Sequence, residues 1–204
     1  MNNFEEILAK QKIIGVIRSQ DFAEAQKQIT ALQKAGLGLI EISLNSVDAF
    51  KLFEWTRQNW PNLCLGAASV LSVEQAQNAQ RKGFDFLVSP ITDCALMRFA
   101  IDQGLSFVPG ACTPTEIAQV LKFYEFSLIK LFPASETYLG IQKVFPKVSF
   151  LLSSFPPEQI KKLSLAGAKY FAIGSFFTEN LNLLSERINF IKSEIAPIPP
   201  LNRL

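Results

Sequence analysis

The chain has 204 residues, 49% of them hydrophobic and 19% charged, and a formal net charge of +2. That balance describes a water-soluble chain with a large core, long enough for one large or two small domains. The scattered Lys and Arg leave no basic stripe for nucleic acid, and no apolar run approaches the roughly 20 residues of a membrane span.

The first residues, Met1 to Lys12, carry Glu5 and Glu6 and no long apolar core, unlike a signal peptide, so the cytoplasm is the expected location. About Asn3 to Lys10 reads as a short helix. Ile13 to Ile17 is an apolar run broken only by Gly15 and closed by Arg18-Ser19. Ala23 to Ala35 reads as an amphipathic helix ending at Gly36, the residue type that most easily takes the left-handed turn beyond a helix. The same order then recurs. Gly36 precedes Leu37 to Leu44, Gly83 precedes Phe84 to Pro90, Gly104 precedes Leu105 to Gly110, and Gly167 precedes Ala168 to Ser175.

Eight strand candidates result: Ile13 to Ile17, Leu39 to Leu44, Cys64 to Val70, Phe84 to Ser89, Ser106 to Gly110, Phe126 to Phe132, Val148 to Ser153 and Tyr170 to Gly174. Strands apolar almost throughout and alternating with helices imply a parallel sheet covered by helices. Eight of them suit an α/β fold of the closed (β/α)8 type, a TIM barrel, spanning residues 1–204 as one domain. An open doubly wound sheet is the alternative; it usually has a glycine-rich first turn, and Arg18-Ser19-Gln20 is not one. The tail Ala196-Pro197-Ile198-Pro199-Pro200 cannot continue a helix and is expected to lie extended.

The chain has no histidine, which argues against a histidine-ligated zinc and against Ser-His or Cys-His nucleophiles. Cys64, Cys94 and Cys112 lack paired spacing and are expected as buried free thiols. Chemistry must come from Lys, Glu, Asp, Arg, hydroxyls and backbone.

In a barrel, catalytic groups gather at the C-terminal strand ends. Those ends offer Arg18, Glu41, Asn45, Ser69, Ser89, Thr92, Thr113, Lys130, Ser153, Ser154, Gly174 and Ser175. Two of these are charges inside apolar runs: Lys130 in Phe126-Ser127-Leu128-Ile129-Lys130-Leu131-Phe132-Pro133, and Glu41 in Leu39-Ile40-Glu41-Ile42-Ser43-Leu44. On an antiparallel edge Lys130 could reach solvent; in a barrel it has only dry directions. The two could form a structural ion pair. Alternatively, an uncharged amine, which burial favours, attacks a carbonyl while the carboxylate shuttles protons, which makes a Schiff-base site. Arg18 could hold a carboxylate or a phosphate. Thr113-Pro114-Thr115-Glu116 reads as a helix start with a capping box.

Five stretches in this order and spacing resemble the class I aldolases that split 2-keto-3-deoxy-6-phosphogluconate (KDPG), 2-keto-4-hydroxyglutarate (KHG) and 2-keto-3-deoxy-6-phosphogalactonate. They are Ile14-Gly15-Val16-Ile17-Arg18, Ile40-Glu41-Ile42-Ser43-Leu44-Asn45-Ser46, Leu65-Gly66-Ala67-Ala68-Ser69-Val70-Leu71, Val108-Pro109-Gly110-Ala111-Cys112-Thr113-Pro114-Thr115-Glu116, and Ile129-Lys130-Leu131-Phe132-Pro133-Ala134. The resemblance implies a homotrimeric (β/α)8 barrel that acts on a small-molecule keto acid, as in the Entner-Doudoroff pathway, and needs no metal or organic cofactor. It implies Lys130 as the Schiff-base lysine and Glu41 as the general acid/base. Arg18, Asn45, Ser69, Pro109, Gly110, Thr113 and Phe132 would bind substrate, and Ser153, Ser154, Gly174 and Ser175 occupy the phosphate positions. Asn45 stands where the phosphogluconate enzymes usually have arginine and matches the phosphogalactonate branch. Ser69 replaces a usual threonine. Ser153-Ser154 replaces a glycine pair and is followed by Phe155, an expected source of bulk at the phosphate loop. A barrel that binds a keto acid without turnover is the alternative, and a phosphosugar isomerase or epimerase a more distant one.

Overall fold

The computed structural model describes residues 4–123, 126, 128–134 and 137–195. Nine strand segments form one sheet: β1 (Ile13–Ile17), β2 (Leu39–Ser43), β3 (Cys64–Ala68), β4 (Phe86–Val88), β5 (Phe107–Val108), β6 (Gly110–Ala111), β7 (Leu128–Leu131), β8 (Ser149–Ser153) and β9 (Tyr170–Ile173). Between and around them run α1 (Phe4–Gln11), α2 (Phe22–Lys34), α3 (Ala49–Asn59), α4 (Val73–Lys82), α5 (Cys94–Asp102), α6 (Pro114–Val120), α7 (Thr137–Val144), α8 (Ile160–Leu165), α9 (Ser175–Thr178) and α10 (Leu184–Glu194). The Pro-rich tail lies outside the described residues.

Every strand pairing is parallel, in the order β5-β4-β3-β2-β1-β9-β8-β7-β6. The two ends of that order are halves of one strand, separated by Pro109. Proline has no N–H to give a ladder, so the strand registers as two pieces. Its carbonyl still accepts the Lys130 N–H at 2.8 Å, and the segment from Phe107 to Ala111 closes the ring. The expected eight-stranded barrel is therefore present, with its fifth strand divided.

Four helix-to-strand turns pass through glycines with positive φ: Gly36 at 83°, Gly83 at 90°, Gly104 at 60° and Gly167 at 101°. This is the repeated glycine that punctuates the sequence. The β4 strand is shorter than its apolar run. Phe84 is drawn against Phe53 of α3 (ring centroids 4.1 Å apart), and the Ser89 hydroxyl accepts the Ile91 N–H at 3.2 Å, which turns the chain.

Side chains alternate across a strand, so each barrel strand feeds two cores. One set packs against the helices and includes Ile13, Ile17, Ile40, Ile42, Leu65, Leu87, Ile129, Leu131 and Phe171. The other set fills the barrel: Ile14, Leu39, Cys64, Phe86, Val88, Val108, Leu151 and Ala172, joined by Phe4 and Leu8 of α1. Phe4 stacks on Phe86 at 4.2 Å, so α1 plugs the N-terminal end of the barrel. Among the described residues no helix is long and apolar enough to cross a membrane.

The Phe86 ring occupies the space where a side chain on Gly66 would stand; a Cβ there would overlap the ring. Gly66→Ala is expected to destabilise the fold by about 1–3 kcal/mol, read as a lowered urea midpoint with an unchanged m-value.

Candidate active site

The inward set of β2 is Leu39, Glu41 and Ser43, and that of β7 and its extension is Leu128, Lys130 and Phe132. Glu41 is fully buried and Lys130 is 6% exposed. Across the barrel the Lys130 Nζ donates to Glu41 Oε1 at 3.2 Å. Each has a glycine beside it in the next strand, since Glu41 is level with Gly66 and Lys130 with Gly110. Those glycines let the Phe86 ring and the Ser89–Ile91 backbone pack close beside the two charged residues' strands. The second carboxylate oxygen, Glu41 Oε2, is buried and has no hydrogen-bond partner among the described residues. The Lys130 Nζ also lies 6.0 Å from the Phe132 ring centroid.

One step nearer the mouth is a second polar group. Arg18, at the end of β1, directs Nε to Ser43 Oγ at 3.4 Å and Nη2 to Ser69 Oγ at 3.3 Å. The two hydroxyl oxygens are 3.0 Å apart, and the Asn45 N–H approaches Ser43 Oγ at 3.4 Å. Ser69 lies just beyond β3 with φ at 60°, a left-handed conformation that a non-glycine residue adopts at some strain. Asn45 is exposed at the rim, and its carbonyl accepts from the Gln20 side chain at 2.8 Å. Gly110 is pressed against the Ser89–Ile91 backbone, where a Cβ would overlap the main chain; its carbonyl accepts from Thr92 Oγ1 at 2.6 Å.

A buried charge pair adds little or nothing to stability compared with an apolar pair of the same volume. Lys130 with Glu41 inside the barrel, and exposed Arg18 with the two buried serines at its mouth, thus form a polar group whose features suit a reactive amine, a proton carrier and an anion holder. The family model of KDPG and KHG aldolase matches residues 4–179. The chain belongs to this aldolase family. A 2-dehydro-3-deoxy-phosphogluconate aldolase of Treponema pallidum is 33% identical over 129 residues, 63% of this chain and 61% of the relative. The chain thus spans about three fifths of that relative's length. A 2-dehydro-3-deoxy-6-phosphogalactonate aldolase of Escherichia coli is 28% identical over 183 residues, 84% of this chain and 77% of the relative. The crystal structure of the 2-keto-3-deoxy-6-phosphogluconate aldolase of Zymomonas mobilis superposes with a TM-score of 0.81, covering 96% of this chain and 100% of that one. At 22% identity that likeness shows the fold alone.

The remaining candidates of this aldolase-family chain lie around the same mouth. Ser153 is buried at the end of β8, and its carbonyl accepts the Ala134 N–H at 2.7 Å. Ser154 is exposed with φ at 59°, so the backbone keeps a conformation that suits glycine although the side chain is serine. Phe155 does not bring its bulk over the mouth. Its ring stands edge-on to Phe171, 5.5 Å away, on the helix-facing side of β9, because the apolar ring finds cover there. Gly174 and Ser175 open the one-turn helix α9.

Thr113 caps α6: its Oγ1 accepts the Glu116 N–H at 3.3 Å and donates to Glu116 Oε2 at 2.9 Å. The same carboxylate oxygen accepts the Cys112 and Thr113 N–H groups at 2.9 and 2.8 Å, which completes the box. The Thr113 hydroxyl is therefore occupied by the helix start. Among the cysteines, all free, Cys64 is buried, and burial pushes its thiol up to about 12. Cys112 is partly buried, and Cys94 is exposed, contrary to the expectation of three buried thiols. It is the first residue of α5 and turns to solvent, while Leu96 and Met97 take the core-facing positions.

Ser43 is the residue that sequence reasoning passed over. Its signal was available: it stands two residues from Glu41, hence on the same face of β2. A cavity of about 620 Å³ lies at the other end of the barrel, against α1, lined by Phe4, Leu8, Phe107, Phe126 and Tyr170, and includes none of the candidate residues.

The backbone hydrogen bond from Cys112 holds the Glu116 carboxyl below its usual range, helped by Thr113 and opposed by partial burial. A depressed carboxyl contributes stability above its unfolded pKa and loses it as pH falls through the folded value. Glu116→Gln is therefore expected to be less stable than the wild type at pH 7, with the gap closing as the pH is lowered below the ordinary glutamate range. Chemical denaturation at a series of pH values checks it.

Proposed function

We propose that this chain is a class I aldolase that cleaves a 2-keto-3-deoxy sugar acid to pyruvate and an aldehyde. The observation that carries the reading is the buried contact of Lys130 Nζ with Glu41 Oε1 at 3.2 Å inside the C-terminal half of the barrel, with Glu41 Oε2 left unpartnered. A structural ion pair needs no vacant acceptor, and a buried oxygen without a partner is costly. A substrate hydroxyl can supply the missing hydrogen bond.

In this reading the Lys130 ammonium passes a proton to Glu41, and the free amine attacks the substrate's C2 carbonyl to give a carbinolamine. Protonation and loss of water leave an iminium joined to Lys130. The C4 hydroxyl then gives its proton to the Glu41 carboxylate as the C3–C4 bond breaks. The electron pair of that bond flows into the iminium and forms an enamine, while C4 leaves as the aldehyde. Protonation at C3 and addition of water return free Lys130 and pyruvate. Arg18 and Ser69 bind the C1 carboxylate, with Pro109, Gly110 and Phe132 around the carbonyl and Asn45 and Thr113 at the rim. Ser153, Ser154, Gly174 and Ser175 face the distal end of the substrate.

The relatives named for phosphogluconate and 6-phosphogalactonate substrates favour a phosphorylated hexonate first, and the family model's KHG comes next. We take residues 1–204 as one barrel domain, assembled as a trimer in the cytoplasm. The serine side chains at 153 and 154 favour a second reading, a barrel that forms the imine with a keto acid but does not turn over a phosphorylated substrate.

Borohydride reduction with pyruvate is expected to leave a stable adduct on Lys130, located by peptide mass spectrometry, and Lys130→Ala is expected to lose both adduct and turnover. Glu41→Gln should lower kcat by about 10²- to 10⁴-fold, the span of a proton-transfer group. Turnover by Lys130→Ala in a coupled pyruvate assay would overturn the proposal. An adduct without cleavage across a panel of keto-deoxy acids would favour the second reading.

A further inference from the structure

The Arg18, Ser43 and Ser69 group has a fixed proton arrangement. Ser43 is fully buried on β2 and has three hydrogen-bond neighbours: Arg18 Nε, Asn45 N and Ser69 Oγ. The first two are obligate donors, because a guanidinium and a backbone amide offer only N–H. The Ser43 hydrogen cannot point at either, and of the three only Ser69 Oγ can accept it. Ser43 therefore donates to Ser69 across the 3.0 Å contact.

Ser69 Oγ in turn receives Arg18 Nη2–H and the Ser43 O–H, which fills both of its lone pairs. Its own hydrogen must point away from both. Ser69 is 6% exposed and follows Ala68, the residue level with Ser43, so it stands three residues nearer the mouth than Gly66, which is level with Glu41. The left-handed backbone at Ser69 sets its Cα–Cβ direction, and the contacts of its Oγ with Arg18 Nη2 and Ser43 Oγ hold the hydroxyl in place.

The geometry points to Ser43 as a positioning residue that sets the Ser69 hydroxyl as a donor and orients Arg18, so that both present hydrogen to a carboxylate. This rests on the aldolase reading above, in which that carboxylate is C1 of the keto acid. Ser43 does not touch substrate in this scheme; it acts through Ser69 and Arg18. Without it the Ser69 hydrogen is free to turn into the gap, and Arg18 Nε loses its anchor.

The test is borohydride trapping of pyruvate on Lys130 over a range of pyruvate concentrations, using the full chain. Ser43→Ala is expected to raise the half-saturating pyruvate concentration roughly tenfold, as expected for a hydrogen bond to a charged group, while the maximal trapping rate stays within about twofold. Methyl pyruvate, which has the carbonyl but no charged carboxylate, should shift by less than about twofold in the same variant, a split that a general structural disturbance would not produce. The double variant Ser43→Ala with Ser69→Ala should bind pyruvate about as Ser69→Ala does alone, because the two serines act in series. Should Ser43→Ala fail to fold, Ser43→Cys carries the same test with weakened hydrogen bonds in a similar shape. Wild-type half-saturation in the variant, equal shifts for pyruvate and its ester, or additive effects in the double variant would each overturn the role of Ser43 and leave the aldolase reading standing. Absence of any adduct in the wild type would overturn both.

Discussion

The interior of this barrel is organised by the contact between Lys130 and Glu41. Two opposite charges taken from water into a packed interior lose hydration worth several kcal/mol each, and their attraction offsets this only with good geometry. Here one carboxylate oxygen has its ion partner and the other has none among the described residues, which is poor geometry for a purely structural pair. The surrounding structure must be stable enough to carry that deficit. It does so with two apolar shells, one inside the barrel and one between the strands and the helices.

The gradation along β2 shows how the chain confines polarity to one end. Its inward residues run Leu39, Glu41, Ser43, from apolar through charged to hydroxyl, while Ile40 and Ile42 face the helices throughout. At the far end Phe86 fills the space beside Gly66 and stacks on Phe4, so an aromatic layer separates the charged pair from the cavity against α1. At the near end Gly110 lies tight against the β4 loop, and Pro109 gives up its ladder N–H while its carbonyl still bonds Lys130. The glycines level with the two charged residues thus admit an aromatic ring on one side and loop backbone on the other.

Much of this was legible in the sequence. A lysine and a glutamate in otherwise apolar runs are conspicuous, because a dry strand rarely tolerates a charge without a use, and period-two alternation then places both inside the barrel. The turn glycines marked where strands begin. What was not legible depended on direction in space. Pro109 was visible, but whether it would break a ladder or merely end a strand depended on its neighbours. Phe155 looked like an obstruction because sequence gives bulk and not orientation; its ring is drawn to Phe171 on the outer face. Cys94 was expected inside because free cysteines usually are, yet the phase of α5 turns it outward. The role proposed for Ser43 required knowing that the ends of two other strands, β1 and β3, come within hydrogen-bond reach of its hydroxyl.

In the ring of strands, β1, β2 and β3 carry Arg18, Glu41, Ser43 and Ser69, whereas β8 and β9 lie between β7 and β1 and carry Ser153 and Gly174 at their ends. On the proposed reading, the keto acid end of a linear substrate is held in the first sector and its distal end in the second, with Lys130 on β7 joining them. The serines that replace glycine then alter only the second sector. Ser154 keeps a left-handed backbone, so the path of that loop survives while its side chains change what the loop presents. On that reading imine formation depends on Lys130, Glu41 and the residues that hold the carboxylate, and of their strands only β7 pairs with β8. Selection of the distal group can therefore change by substitution at the end of β8 while the bond-breaking chemistry stays where the barrel interior fixes it.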